Sequence, residues 1–246
     1  MSRFVSGCDV MSNAAATDTT LMPGVSLSHS SELVRVSFSR PYLALSSAVL
    51  NGGYCHASDF LNVRVARHGP DNAEDPAVTL QRLSDELSCP GTTVGMMTAA
   101  SLDSLRVVGG SIAGETLAVL VTTGMENARS AGDQAEYRSL DMVPPDRGTI
   151  NLAIITSAQI AEAALVEMVA IATEAKVAVL HELAVRSPVS GRLATGTGTD
   201  AIAVFSGHGP GRARFAGKHT LLGEQLGKLV MDAVRSSVDY KKAAAS

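Results

Sequence analysis

Residues 150–183 read INLAIITSAQIAEAALVEMVAIATEAKVAVLHEL, and they decide the fold because they change from a strand pattern to a helix pattern. Ile150–Ile155 is a short apolar run, which is typical of a buried strand. Thr156 and Gln159 then have the spacing of a capping box, which predicts that a helix starts there. Apolar residues recur every three or four positions to about Leu183. The pattern predicts a helix of about 27 residues, roughly 40 Å long.

The other apolar segments predict strands that are adjacent early in the chain and separated by helices later. Alternation at Leu33–Phe38 and Tyr42–Leu45 predicts two strands joined by a turn at Pro41. Helical spacing predicts helices at Ala77–Leu87 and Thr220–Val234. Further strands are predicted at Phe60–Ala66, Thr93–Ala99, Thr116–Thr123 and Ala201–Phe205. This order favours an α+β fold: a single domain with a mixed β-sheet and helices packed on it.

The chain has 246 residues, enough for one sizeable domain, and no linker or internal repeat divides it. Residues 1–30 are rich in Ser, Thr, Ala and Asn without sustained periodicity, which indicates a loosely ordered leader. The predicted domain therefore covers residues 31–235. Residues 236–246 are predicted to form a frayed C-terminal tail.

Composition and charge exclude several classes of partner. Charged residues make up 18% of the chain, the net charge is −4, and no Lys/Arg run reaches five residues, which argues against nucleic acid. The longest apolar stretch carries too many polar groups to span a membrane. Three separated cysteines and the lack of a signal-peptide pattern favour a cytoplasmic protein. No histidines stand at metal-ligand spacing, so we predict neither a metal nor a cofactor. No pattern fixes the oligomeric state.

Two polar segments in the last fifth of the chain are the best candidates for an active site. Thr195-Gly196-Thr197-Gly198-Thr199-Asp200 combines hydroxyls, a carboxylate and glycines whose backbone N–H groups can act as donors. Its glycine spacing fits a dinucleotide loop, but it precedes a strand rather than a helix, so dinucleotide binding is not predicted. Gly217-Lys218-His219-Thr220 lacks the glycine and the hydroxyl that a P-loop requires. Six consecutive small polar residues exceed what a tight turn needs, which favours function for the first segment.

Asn51-Gly52-Gly53 follows a predicted strand and supports two interpretations equally. The three residues are strong turn formers, which predicts a hairpin turn or a bulge. They could also present donors to a ligand carbonyl in the manner of an oxyanion hole. Among the histidines, His219 is the preferred general base because it stands beside Lys218 just before a helix.

Six segments occur in an order that resembles a known family. They are Ser46–Gly53, Gly95–Ala99, Gly148–Asn151, Thr173–Lys176, Thr195–Asp200 and Gly217–Thr220 with Leu222-Gly223. Over roughly residues 40–232 they resemble the adenosylcobinamide amidohydrolase (CbiZ) family of corrinoid salvage. The resemblance implies hydrolysis of the amide that joins a propionyl side chain of the corrin ring to aminopropanol. Adenosylcobinamide would give adenosylcobyric acid, and a small-molecule corrinoid is the implied partner.

Amide hydrolysis needs a base, donors for the oxyanion and an acid for the departing amine. We expect Asp200 or His219 to be the base, acting on water or on a threonine hydroxyl such as that of Thr199. Lys218 and the backbone N–H groups of residues 196–199 would stabilise the oxyanion. The predicted substrate-binding residues are Asn51, Gly52, Gly53, Thr195, Gly196, Thr197 and Gly198. This assignment requires both polar segments and the turn at Asn51 to face one cleft.

Two other functions stay open at this stage. The same polar loops would suit a non-catalytic corrinoid-binding protein, or an amidase that acts on another small amide. A carrier would keep its corrinoid unchanged, whereas the amidohydrolase would release 1-amino-2-propanol.

Overall fold

A mixed sheet of nine strands forms the centre of the computed structural model, which describes residues 17–66, 74–136, 140 and 149–240. The strands are β1 (Thr17–Met22), β2 (Val25–His29), β3 (Leu33–Ser46), β4 (Gly53–Arg64), β5 (Thr93–Thr98), β6 (Arg106–Ile112), β7 (Glu115–Thr123), β8 (Ala128–Arg129), β9 (Ile150–Thr156), β10 (Gln159–Ile160), β11 (Gly196–Thr197), β12 (Ala201–Ser206) and β13 (Arg212–Ala213). The helices are α1 (Pro76–Glu86), α2 (Glu162–Glu182) and α3 (Leu221–Val238). The α+β fold with a mixed sheet is therefore confirmed.

The main sheet runs in the order β1-β2-β3-β12-β9-β7-β6, and β4 and β5 branch from β3. β9 and β12 are parallel neighbours connected through α2, whereas β7 is antiparallel to β9. The first residues of β9 and β12 and the last residues of β7 and β3 therefore lie at one edge of the sheet. Two short ribbons, β10–β13 and β8–β11, lie outside the main sheet.

Alternate residues of the central strands face two different cores. On β7, Leu117, Val119 and Val121 face the core that α2 and α3 cover. Ala118 and Leu120 face a second core, which includes residues of β1–β5 and the buried ring of Phe205. Both faces of the central strands are thus buried, and this explains their nearly continuous apolar sequences.

The predicted break at Pro41 is wrong, because β3 is one strand of 14 residues. Its pairing with β4 shifts register between Ser37 and Tyr42, so the chain passes Pro41 at an irregularity rather than at a turn. Proline has no N–H group to donate to a ladder, and an irregularity in the pairing tolerates that loss.

The predicted capping box is also wrong, because α2 begins at Glu162 rather than at Thr156. Thr156 ends β9, and its hydroxyl donates to the Thr116 carbonyl oxygen at 3.1 Å. Gln159 belongs to β10 and pairs with Arg212. Ala161, the residue before α2, makes no side-chain hydrogen bond that caps the helix. Burial of one face, rather than an N-terminal cap, therefore stabilises α2.

The folded domain begins earlier and ends later than residues 31–235. β1 and β2 are antiparallel strands, and β2 pairs with β3, so residues 17–29 belong to the sheet rather than to a leader. In β2, Val25 and Leu27 are buried and alternate with serines, which is too short a pattern for sequence inspection. α3 continues to Val238 because the buried Ser237 hydroxyl donates to the Ser104 carbonyl oxygen at 2.7 Å. Residues 1–16 and 241–246 lie outside the described part of the chain.

The sequence pattern located most of the remaining elements correctly. The helix at Ala77–Leu87 and the strands at Thr93–Ala99, Thr116–Thr123 and Ala201–Phe205 are confirmed within one or two residues. β6 was not predicted, because two adjacent glycines interrupt it and it has no long apolar run. None of the helices in the described ranges is long and apolar enough to cross a membrane.

We predict that Phe205→Ala lowers the free energy of unfolding by about 3–5 kcal/mol, because truncation of a buried aromatic ring leaves a cavity. The Phe205 side chain is fully buried between Phe38 and Phe60. Phe215→Ala is the matched control, since Phe215 is 63% exposed. Urea unfolding of both variants measures the difference, and equal losses would contradict the described core.

Candidate active site

A buried ion pair joins α2 to the Thr-Gly segment. The Lys176 ammonium donates to Oδ2 of Asp200, and only 6% and 14% of the two side chains are exposed. Lys176 lies on α2 beside the apolar core, and Asp200 directly precedes β12. Charges are rarely buried unless they are paired, because removal from water is costly. Each of the two charges is therefore stabilised in this buried position by the other.

Asp200 also fixes the chain around it, because its carboxylate accepts four hydrogen bonds. Oδ2 accepts from Lys176, and Oδ1 accepts from the Thr197 backbone N–H at 3.0 Å, the Thr197 hydroxyl and the Ile150 N–H at 3.1 Å. These donors come from α2, β9 and β11. A single carboxylate thus ties the Thr-Gly segment to the edge where β9 and β12 begin.

Gly196 is needed beside the ion pair for steric reasons. A Cβ atom on Gly196 would lie 2.2 Å from Asp200 Oδ2 and 3.0 Å from Lys176 Nζ. The first distance is far shorter than any real contact. The missing side chain therefore leaves room for the ion pair on this face of β11.

Two side chains that sequence inspection missed lie on the same face. β11 pairs with β8 in the register Gly196 with Arg129 and Thr197 with Ala128. Directly opposed residues point to the same face of a ribbon, so Arg129 lies on the face of Gly196. A Cβ atom on Gly198 would lie 3.2 Å from Asn127 Nδ2, which confirms that Asn127 lies over Gly198.

Both of these side chains have a buried polar atom without a hydrogen-bond partner. In the described part of the chain, Oδ1 of Asn127 and Nη1 of Arg129 are buried and make no hydrogen bond. Arg129 uses its other terminal nitrogen to pair with Glu136. Most buried polar groups in proteins are satisfied, so these two unpaired atoms are candidates for contacts with a ligand.

A chain of neutral polar groups lies behind the ion pair. Asn151 donates to Oδ1 of Asn62 at 2.8 Å and to the Met97 carbonyl oxygen at 2.9 Å. Asn62 in turn donates to the Thr122 hydroxyl at 2.9 Å. The Thr149 hydroxyl donates to the Thr199 carbonyl oxygen at 2.6 Å, which holds the Thr-Gly segment against the start of β9. Asn62, Asn151 and Thr122 also line a small cavity.

Thr195 and Asp133 hold the β8–β11 ribbon in place. Thr195 donates its N–H to the Arg129 carbonyl oxygen at 2.8 Å, and its hydroxyl accepts from the Ala131 N–H at 2.9 Å. The Asp133 carboxylate accepts from Ser187 and from the Ser130 N–H, which joins the loops after β8 and after α2. These hydrogen bonds, with that from the Ser187 hydroxyl the largest, hold the pKa of the Asp133 carboxyl well below its usual range.

The second polar segment of the sequence forms the N-terminal turn of α3. The Thr220 hydroxyl accepts from the Gly223 N–H at 3.0 Å and donates to the Gly217 carbonyl oxygen at 2.8 Å, so Thr220 caps the helix. Lys218 pairs with Glu174 on α2, and 68% of the Lys218 side chain is exposed. His219 is exposed as well.

The two polar segments do not converge, so the expectation of one shared cleft is wrong. Lys218 contacts Glu174, whereas Asp200 contacts Lys176, two residues further along α2. Side chains two residues apart on a helix diverge by about 200°. α2 therefore separates the Lys218 contact from the Asp200 contact. The cation beside Asp200 is Lys176, and the catalytic roles of Lys218 and His219 remain predictions.

The Asn51 segment is a turn at the same edge of the sheet as Asp200. Asn51 has a φ of 53°, and its side chain donates to the Thr93 carbonyl oxygen at 2.8 Å. Gly53 has a φ of 84°, which favours glycine. At the start of the turn, Ser47 donates its N–H to the Ile202 carbonyl oxygen and accepts from the Ile202 N–H, each at about 3 Å. The turn interpretation is thus confirmed, and substrate binding by residues 51–53 remains a prediction.

The Thr197 hydroxyl is a better nucleophile candidate than the Cys55 thiol. Burial raises the pKa of Cys55, which keeps its thiol protonated. Thr197, in contrast, already donates its hydroxyl proton to a carboxylate. Within the described ranges, no group of three or more His, Cys, Asp or Glu side chains is arranged to hold a metal ion.

We predict that Lys176→Met lowers the free energy of unfolding by about 3–5 kcal/mol, because it leaves the Asp200 carboxylate buried without its cation. Lys218→Met is the matched control, since it removes a lysine from an exposed ion pair and should change stability little. Denaturant unfolding of both variants measures the contrast. A loss in Lys218→Met as large as that in Lys176→Met would contradict the described burial.

Comparison with known proteins gives a consistent family. A family model for adenosylcobinamide amidohydrolase matches residues 18–246. The chain is 25% identical to an adenosylcobinamide amidohydrolase of Methanosarcina mazei over 79% of this chain and 90% of that protein. It is 33% identical to one of Halobacterium salinarum over 52% of each chain. An uncharacterized protein of Methanocaldococcus jannaschii is 34% identical over 56% of this chain and 60% of its own length. The chain thus spans about half to two thirds of two of these relatives.

Solved structures give weaker likenesses. A β-aminopeptidase of a Burkholderia species is 12% identical, with a TM-score of 0.45, over 92% of this chain and 87% of that chain. An L-aminopeptidase D-Ala-esterase/amidase of Ochrobactrum anthropi is 10% identical, with a TM-score of 0.39, over 91% and 80%. TM-scores this low support no inference about mechanism. The family match over nearly the whole chain is decisive, and the chain belongs to the adenosylcobinamide amidohydrolase family.

Proposed function

We propose that this protein hydrolyses the amide between aminopropanol and the propionyl side chain of adenosylcobinamide. The products are adenosylcobyric acid and 1-amino-2-propanol. Family membership supports the reaction class, and the observation that carries the proposed site is the buried Lys176–Asp200 pair with the Thr197 hydroxyl bonded to it.

Thr197 is the nucleophile that this geometry favours. A nucleophilic hydroxyl needs a base within hydrogen-bond reach and a third group that orients the base. Thr197 donates its hydroxyl proton to Asp200, and Lys176 and the Ile150 N–H hold Asp200 in place. The four groups meet these requirements without any group from the Lys218 segment.

The chemistry balances with Asp200 as the proton carrier. The Thr197 oxygen attacks the amide carbonyl while Asp200 takes the hydroxyl proton. Asp200 then gives that proton to the departing amine, so the C–N bond breaks and an ester forms on Thr197. Asp200 then takes a proton from water as the water oxygen attacks the ester carbonyl, and it returns that proton to the departing Thr197 oxygen, so the C–O bond breaks and the free acid is released. The ammonium nitrogen of Lys176 lies 3.0 Å from the position that a Cβ atom on Gly196 would take. From that side of the ribbon the ammonium stabilises the oxyanion.

Neutral polar groups and an open face suit a corrinoid. A corrin has neutral amides around its rim and an apolar face, so it needs amide and hydroxyl partners rather than a cluster of cations. Gly198 is exposed, and it leaves the outer end of the ribbon accessible to a large ligand.

The nucleophile assignment predicts a graded effect at residue 197. Thr197→Val should lower turnover by about 100-fold or more, because the side chain keeps its shape and loses the hydroxyl. Thr197→Ser should keep turnover within about tenfold of the wild type. Asp200→Asn should lower turnover about as much as Thr197→Val does. Chromatography of 1-amino-2-propanol and adenosylcobyric acid measures each rate.

Other outcomes separate the alternatives. If Thr197→Val turned over at the wild-type rate while Asp200→Asn was inactive, water would be the nucleophile. If the wild type bound adenosylcobinamide but returned it unchanged after long incubation, the protein would be a corrinoid carrier. Wild-type rates in all three variants would contradict the proposed site.

A further inference from the structure

Two buried atoms beside the proposed reacting centre are complementary to a group that the protein itself does not supply. Oδ1 of Asn127 is an acceptor and Nη1 of Arg129 is a donor, and within the described part of the chain both lack partners. The Asn127 side chain belongs to a residue that is only 7% exposed, so water does not readily replace the missing partner. An unpaired buried polar group costs free energy in the unliganded protein.

The two residues lie on one face of the β8–β11 ribbon. Arg129 is opposed to Gly196 in the ribbon, and Asn127, which directly precedes β8, lies over Gly198, where a Cβ atom would be 3.2 Å from its Nδ2. The Lys176–Asp200 pair occupies the space that a Gly196 side chain would take, so the proposed reacting groups lie on this same face.

We infer that Asn127 and Arg129 bind a neutral carboxamide of the substrate, with Asn127 accepting its N–H and Arg129 donating to its carbonyl oxygen. The inference rests on the proposed function, because it places a corrinoid on this face of the ribbon. A carboxylate would fit less well, since it has no proton to donate to Oδ1 of Asn127. Asn127 and Arg129 therefore select an amide over the corresponding acid.

The Lys176–Asp200 pair lies on the same face of the β8–β11 ribbon as Asn127 and Arg129. One carboxamide of a corrinoid could therefore bind at the ion pair while a second binds at Asn127 and Arg129. One is the amide that is cleaved, and the other is an uncleaved carboxamide at the corrin rim. Adenosylcobyric acid keeps the rim carboxamides but lacks the cleaved amide. The effect of a change at Asn127 on the affinity for this acid therefore shows which of the two carboxamides Asn127 binds.

Asn127→Leu tests the inference because it removes the orphan acceptor and keeps a similar volume. We expect the KM for adenosylcobinamide to rise at least tenfold, and the Tm of the free protein to stay the same or rise. A structural role would instead lower Tm. An unchanged KM would overturn the inference, whether or not the Tm is lowered.

Arg129→Met should raise KM in the same direction, and Arg192→Met is its matched control. Arg192 belongs to a neighbouring loop, where its guanidinium donates to Asp133 and to the Ala131 carbonyl oxygen. Its replacement should leave KM within twofold of the wild type. An equal rise in KM for both arginine variants would contradict a specific role for Arg129.

Binding of adenosylcobyric acid, followed by its visible absorbance, keeps this test separate from that of the reaction. Weaker binding of this acid by Asn127→Leu would place a rim carboxamide at Asn127. Unchanged binding together with a raised KM would place the cleaved amide there.

If the wild type released no 1-amino-2-propanol, the proposed reaction would fail. A tenfold loss of affinity for the acid in Asn127→Leu would still support the carboxamide site, and unchanged affinity would then overturn it.

Discussion

The buried contact between Lys176 and Asp200 is the constraint on which the rest of the site depends. Neither charge is stable away from water alone, so the pair requires α2 and the start of β12 to stay together. The remaining hydrogen bonds of Asp200 then fix Thr197 and the first residue of β9. The position of the β8–β11 ribbon, and with it Asn127 and Arg129, follows from that arrangement.

α2 divides the polar residues of the C-terminal half into two groups with different physical roles. On one side, Lys176 meets Asp200 in a buried setting. On the other, Lys218 meets Glu174 where both side chains are mostly exposed. Gly223 is explained by the close approach of the chain at the start of α3, since a Cβ atom on it would lie 2.3 Å from the Gly217 carbonyl oxygen. The second polar segment thus has a structural explanation that does not require catalysis.

Local patterns predicted the parts of this fold that depend on neighbouring residues. The apolar run before residue 156 and the helical spacing after residue 160 gave β9 and most of α2. The false capping box shows the limit, because tertiary pairing of β10 with β13 decided where the helix begins. Lys176 was missed as a site residue because, in sequence, it is one charge among apolar helix positions. A lysine on the buried stripe of a helix was the available signal. Asn127 and Arg129 carried no signal, since they are opposed to Gly196 and Gly198 only through long-range pairing.

The most direct measurement of the central claim is the turnover of Gly196→Ala. A methyl group at this position would lie 2.2 Å from Asp200 Oδ2, so it must displace the ion pair. Gly217→Ala is the control, because a Cβ atom there would meet nothing within 4 Å. If the pair is the reacting centre, Gly196→Ala should lose about 100-fold or more in turnover of adenosylcobinamide while Gly217→Ala keeps the wild-type rate. Wild-type turnover in Gly196→Ala, or a loss confined to Gly217→Ala, would contradict the account.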